Sequence, residues 1–124
     1  MATEAEKIVS DFCTAWTRGN IEELMGFFTD DAVYHNIPLP AAKGKDAIRA
    51  TINSFLPGAK SIQFKILHTA AAGNVVFNER VDIFDQKDGK HIELPVTGVF
   101  EVKGGKLCAW RDYFDMAMFT KQMA

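Results

Sequence analysis

The sequence predicts an α+β fold: a cone-shaped, curved antiparallel sheet covered on one face by about three N-terminal helices. Three observations lead there. Apolar residues recur at helical spacing through the first half of the chain. They alternate with polar residues through the second half. Gly-bearing turns then divide that second half into strands. A cup of this kind encloses a pocket between helices and sheet.

Thr3 and Glu6 form a capping-box pattern that starts the first helix. Ile8, Val9, Phe12, Cys13 and Trp16 follow on one helical face, and Gly19-Asn20 closes the segment. Asn20 with Glu23 caps a second helix whose apolar face is Leu24, Met25, Phe27 and Phe28, broken by Asp30-Asp31. Residues 32–36 read as short and extended. Ile37-Pro38-Leu39-Pro40 cannot be helical across its prolines. Residues 45–55 return to helix, with Ala47, Ile48, Ile52 and Phe55 on one side, and Pro57-Gly58 ends it. Ile62, Phe64 and Ile66 alternate with polar residues in a strand over 60–70, and Gly73-Asn74 turns the chain. Strands at about 75–86, 90–102 and 106–115 are joined by Lys87-Asp88-Gly89 and Lys103-Gly104-Gly105.

At 124 residues the chain reads as one domain, 1–124, able to bury a single sizeable core. A hydrophobic content of 48% argues against disorder, and a net charge of -2 gives no reason to expect nucleic acid or an anionic membrane as partner. Ten Phe residues are enough to line an apolar cavity. Cys13 and Cys108 fit neither a zinc pattern nor a disulfide framework and read as small core residues. With no signal peptide and no apolar run near about 18 residues, a soluble cytoplasmic protein is expected.

The strand Asn78-Glu79-Arg80-Val81-Asp82 concentrates the chemistry. Strand side chains alternate between faces, so Arg80 and Asp82 share a face with Val76 and Phe84. Charges among large apolar side chains are costly unless paired. Reading each of the last two loops as three residues with Gly third sets the register. Arg80 then faces Val96, which faces Asp112, and Asp82 faces Leu94, which faces Phe114. Two-residue loops would instead bring Arg80 and Asp112 both opposite Thr97, and side-chain parity favours the first register. In either, Arg80 and Asp112 point into one site two strands, or about 9.5 Å, apart. An Arg side chain and an Asp side chain together close that gap. The guanidinium fork can hold Asp82 and Asp112 at once. One excess negative charge in an apolar cup favours a proton on one carboxyl, which makes one Asp an acid and the other a base. A structural ion pair is the plainer reading of the same residues.

Three segments carry a resemblance. They are Tyr34-His35-Asn36-Ile37-Pro38-Leu39-Pro40, then Glu79-Arg80-Val81-Asp82, then Gly98-Val99-Phe100 with Trp110-Arg111-Asp112-Tyr113-Phe114-Asp115. In this order and spacing the chain resembles the limonene-1,2-epoxide hydrolase family, a branch of the cone-shaped folds related to nuclear transport factor 2, the SnoaL-like cyclases and ketosteroid isomerase. The resemblance implies a metal-free, cofactor-free homodimeric hydrolase that opens an epoxide to a vicinal diol in one step. It casts Asp112 as the general base, Tyr34 and Asn36 as holders of the attacking water, Asp82 as the acid and Arg80 as the bridge between the carboxylates. The Tyr34 and Asn36 side chains share a face and can both donate to and accept from one water.

Leu39, Phe55, Phe84, Leu94, Val96, Phe100, Trp110, Phe114 and Phe119 are the expected lining of a pocket for a small apolar epoxide. Arg111 and Tyr113 point to the outer sheet face, where Val81, Ile83 and Val99 also lie and a partner subunit is expected. His35 points away from the water-holding residues, as a hydrogen-bonded structural residue. His68 and His91 fall on exposed strand positions, and Glu79 and Asp115 read as structural or surface residues. Met116, Met118, Phe119 and Met123 either close the pocket or pack on a second subunit. Two other function classes suit the same cup. An isomerase or cyclase would need one ionised carboxylate and an oxyanion donor. A non-catalytic carrier of apolar ligands would need no charged trio.

Overall fold

A computed structural model describes residues 2–124. Helix α1 (Glu4–Ala15) runs through a short 3₁₀ turn into α2 (Ile21–Met25), then β1 (Phe28–Asn36), β2 (Ala42–Lys43) and α3 (Lys45–Asn53). Four long strands follow: β3 (Ala59–Ala72), β4 (Val75–Gln86), β5 (His91–Lys103) and β6 (Lys106–Tyr113). A last helix, α4 (Met116–Met123), closes the chain. The six strands form one sheet in the order β2-β1-β6-β5-β4-β3. Helices α1 and α3 pack on its concave face.

The helix starts rest on the expected caps. Glu6 donates its backbone N–H to Thr3 Oγ1 at 3.1 Å, and the Glu6 carboxylate accepts from the Thr3 backbone in return. Asn20 Oδ1 accepts from the Glu23 N–H at 3.1 Å. The second helix, however, stops at Met25 and does not carry Phe27 and Phe28. Gly26 follows it, and the Phe27 carbonyl already accepts from the Leu107 N–H at 2.7 Å. Phe28 therefore enters the core from the start of a strand, edge-on to Phe12 at 5.4 Å. That strand joins the sheet parallel to β6, so the sheet is mixed, with the antiparallel order running from β3 to β6. The C-terminal residues are helical because Asp115 caps them, accepting from the Met118 N–H at 3.1 Å.

The two hairpins of the second half are built differently. Lys87-Asp88-Gly89 is the expected three-residue loop, with Gln86 N–H donating to the Lys90 carbonyl at 2.8 Å and Gly89 at φ 93°. The β5–β6 turn departs from expectation. Lys103 pairs with Lys106 across a two-residue Gly104-Gly105 turn, and both glycines have positive φ, as a type I′ turn requires. Cys108 is then an extra residue that bulges out of β6 between the Ala109 and Leu107 pairings and restores the inward parity. Arg80 faces Val96 and Asp82 faces Leu94 as read, but Asp112 lies opposite Gly98, one pleat further along than Val96.

The core is aromatic. Phe12 meets Trp110 edge-on at 4.9 Å, and Trp16 stacks on Phe64 at 4.9 Å. Cys13 is buried and Cys108 half-buried, both as free thiols. Among the described residues no helix is long and apolar enough to cross a membrane.

Candidate active site

Four polar side chains are sealed on the concave face: Arg80 at 0% exposure, Asn78 at 2%, and Asp82 and Asp112 at 4% each. Three of them come from alternate positions of β4, so strand alternation alone sends them the same way. Arg80 donates from Nε to Asp82 Oδ1 at 2.9 Å and from Nη2 to Asp82 Oδ2 at 3.0 Å. The same Nη2 donates to Asp112 Oδ2 at 2.9 Å. Nη1 donates to Asn78 Oδ1 at 2.9 Å. One planar guanidinium thus holds both carboxylates, which a lysine could not do with this geometry. The faces of the fork are dry: its carbon lies 4.8 Å from the Phe64 ring centre and 5.8 Å from that of Phe100. The second oxygen of Asp112 accepts from Trp110 Nε1 at 2.8 Å.

Gly98 lets the bridge cross the middle strand. A Cβ there would overlap Arg80 Nη1 and stand 2.9 Å from Asp112 Oδ1 and from the Phe100 ring. A glycine inside a strand often marks such a close approach. That signal was available in the sequence, as was the shared face of Asn78 with Arg80 and Asp82. Read from the sequence by pairing of charges alone, neither residue stands out. The third partner, Trp110 Nε1, depends on the bulge at Cys108 and was not legible.

The parallel pairing of β1 with β6 sets Tyr34 beside Trp110 and Asn36 beside Asp112. Tyr34 stacks on Trp110 at 4.0 Å, which fixes its ring. Asn36 lies at the end of β1, where its carbonyl accepts from the Leu39 N–H at 2.7 Å and Ile37 N–H donates to the Asp112 carbonyl at 2.9 Å. His35 turns away and bonds the Leu39 carbonyl through Nε2 at 2.9 Å. His68 bonds Glu79, and His91 bonds Asp85 and Glu93, all at the surface.

Tyr34, Asn36, Asp82 and Asp112 all face a cavity of about 280 Å³. From the sheet, Phe84, Leu94 and Val96 wall it; Leu39, Phe55, Phe114 and Phe119 complete the apolar lining. Phe64, Thr51, Ser54, Gln86, Met116 and Met123 also reach it and had not been anticipated. Two expected lining residues do not face it. Phe100 and Trp110 are fully buried, stacked on each other at 5.9 Å, and Tyr34 and the Arg80 bridge lie between them and the space. Arg80 itself sits behind the floor rather than on it.

Burial pushes the Asp82 carboxyl up to about 6, with the Arg80 charge and hydrogen bonds pulling the other way and the Asp112 charge adding to the rise. Burial works against the charge of Arg80, but Asp112 and Asp82 hold it well above its ordinary value, so it stays a cation. Burial, followed by the charge of Asp112, raises the Tyr34 hydroxyl, which remains a proton donor. Near pH 6 the cluster can therefore hold a proton on Asp82 while a fixed cation bridges the pair. That arrangement suits concerted acid–base chemistry on a small molecule in the cavity. Among the described residues no group of three His, Cys, Asp or Glu side chains is placed to hold a metal ion.

Residues 3–124 match the family model described as the limonene-1,2-epoxide hydrolase catalytic domain. The chain belongs to this family. It is 32% identical over 108 residues to epoxide hydrolase EphG of Mycobacterium tuberculosis, covering 87% of this chain and 71% of that protein. An LEH-like epoxide hydrolase structure from M. tuberculosis superposes with a TM-score of 0.83 at 28% identity, covering 96% of this chain and 88% of that one. A putative polyketide cyclase from Xanthomonas campestris superposes with a TM-score of 0.86 at 19% identity, over 98% and 97% of the two chains. At that identity it shares the fold alone. The curved sheet with N-terminal helices is thus the nuclear transport factor 2-like, SnoaL-like cup, and the family places the protein among epoxide hydrolase-like proteins.

Proposed function

We propose that the protein opens a small apolar epoxide to a vicinal diol by direct attack of water, with no covalent enzyme intermediate and no cofactor. Asp112 takes a proton from a water held by Tyr34 and Asn36. The water oxygen bonds to one epoxide carbon as the carbon–oxygen bond of the ring breaks. Asp82 gives its proton to the leaving oxygen. Arg80 faces one ionised and one neutral carboxylate both before and after the step, so the charge around it is conserved and little has to reorganise. Returning the proton from Asp112 to Asp82 resets the site.

The observation that carries this reading is the single guanidinium bonded to both carboxylates, at 2.9 Å each, beneath an apolar cavity. An isomerase or cyclase would use one of the carboxylates and leave the bridge without a task. A carrier would have no use for a buried trio. One turnover of excess enzyme in ¹⁸O-water, with a racemic test epoxide, is the decisive experiment. The label is expected in the diol at once. Label found first on Asp82 or Asp112 would overturn the one-step route.

The active form is also proposed to be a homodimer paired through the outer sheet face. Phe77 and Tyr113 stand there 42% and 46% exposed, with Val99 paired across from Phe77. Sedimentation should give twice the mass of the chain, and Phe77→Glu should halve it.

A further inference from the structure

The lining of the cavity is polar at two ends, and only one end belongs to the chemistry. Asp82 and Gln86 lie on the same face of β4, four residues and therefore about 13 Å apart along the strand. Phe84 lies between them, and Phe55, Phe114 and Phe119 complete an apolar wall. At the far end Gln86 is joined by Thr51 and Ser54 from α3 and the residue after it.

The hydrogen-bonding capacity of these three groups is specific. Thr51 donates its hydroxyl proton to the Ala47 carbonyl at 2.9 Å, and Ser54 donates to the Thr51 carbonyl at 2.5 Å. Each presents only oxygen lone pairs to the cavity. The Gln86 backbone is tied on both sides, by the Lys90 carbonyl and the Gly89 N–H. Its side-chain amide has no protein partner among the described residues, so it offers both donors and an acceptor. A ligand group that suits all three must donate as well as accept. Among the described residues no lysine or arginine lines the cavity, and the hydroxyl oxygens would repel an anion, so a carboxylate does not fit. A neutral alcohol does.

We propose that the natural substrate is an elongated epoxy alcohol, with the epoxide at the Arg80-bridged carboxylates and a hydroxyl held by Gln86 and Ser54. This rests on the hydrolase reading above and specifies its substrate class. Gln86 is then a specificity-determining residue that never touches the reacting atoms.

The test uses terminal epoxides of six to ten carbons, each with and without a hydroxyl on the far carbon. The hydroxyl is expected to raise kcat/KM about five- to tenfold at one favoured length, as one or two added hydrogen bonds would. Gln86→Leu should erase that preference, read as the ratio of kcat/KM between each hydroxylated epoxide and its plain counterpart of the same length. A calorimetric comparison of decane-1,2,10-triol with decane-1,2-diol reads the same preference as Kd, without any reaction. Equal kcat/KM at every length with equal Kd, or a preference that survives Gln86→Leu, would overturn the proposal. A Kd preference lost in Gln86→Leu, with no epoxide turned over, would uphold the alcohol site and reject the hydrolase reading.

Discussion

The two ends of the cup face the same sheet and differ in what fills them. At one end α1 and the 3₁₀ turn after it bring Phe12, Cys13 and Trp16 onto the concave face, and ring packs on ring around Trp110. At the other end Leu94, Val96, Phe84, Phe114 and Phe119 form a separate apolar group around the cavity. Its cover is the eight-residue α4, held by capping at Asp115 and by the Gln122 amide, which bonds both the N–H and the carbonyl of Glu93. The charged cluster lies between the two. The filled end gives the guanidinium dry aromatic neighbours and the Cys13 thiol an amide partner in Asn78, at 3.7 Å. The other end leaves the carboxylates facing a cavity. One half thus holds the charged cluster by packing, and the other leaves room beside it.

The sharpest way to break this division is at the boundary. Asp112→Asn keeps the shape but removes the proposed base, and its single amide oxygen can accept from Trp110 Nε1 or from Arg80 Nη2, not from both. Turnover is expected to fall by about 10²–10⁴-fold, measured as kcat of the folded protein on any accepted epoxide. Retained turnover would move the chemistry elsewhere. Phe12→Ala acts on the filled end alone. It should cost about 3–5 kcal/mol of stability in denaturant unfolding while the KM of the remaining folded protein stays the same. A large change of KM would mean the two ends are mechanically one.

Gly98→Ala tests the crossing itself. The added methyl overlaps the Arg80 fork, so the bridge must shift and a buried charge loses part of its pairing. A loss of about 3 kcal/mol is expected, together with loss of turnover. At the empty end Phe119→Ala should cost only about 1 kcal/mol, because the ring is half-exposed in a short helix. Its effect is expected in KM, with bulkier epoxides gaining on smaller ones.

Much of this contrast could be read before any coordinates. Two-residue alternation placed Arg80 and Asp82 inside, and a long strand with uniform parity made that robust. The helix starts at Thr3 and Asn20 were local capping signals and needed no tertiary information. What was hidden depended on contacts distant in sequence. Phe27 and Phe28 fit a helical face equally well, and only pairing with Leu107 makes a strand of β1. Two adjacent glycines permit either loop length, and the bulge at Cys108 that repairs the parity has no sequence mark of its own. Phe100 and Trp110 carry the pattern of pocket residues, but Tyr34 stacks over the Trp110 ring and takes its place on the wall. Packing order between aromatic layers is not written in periodicity.

The last expected effect concerns the proton on Asp82. Its carboxyl is raised to about 6 in the folded protein, against 3.8 for an ordinary aspartate. The folded state therefore keeps this proton where the unfolded chain has lost it. The stability it contributes is fully present below about pH 4 and is lost as pH rises through about 6, at up to about 1.4 kcal/mol per pH unit. Asp82→Asn cannot titrate, so the stability difference between parent and variant should fall across that window and be flat above it. The catalytic counterpart has the same sign. kcat/KM should decline as pH rises through about 6 and Asp82 loses its proton. If the stability difference is flat from pH 4 to 8, Asp82 is ionised throughout. The proton donor would then have to be sought among the neutral groups of the cavity, with Tyr34 first.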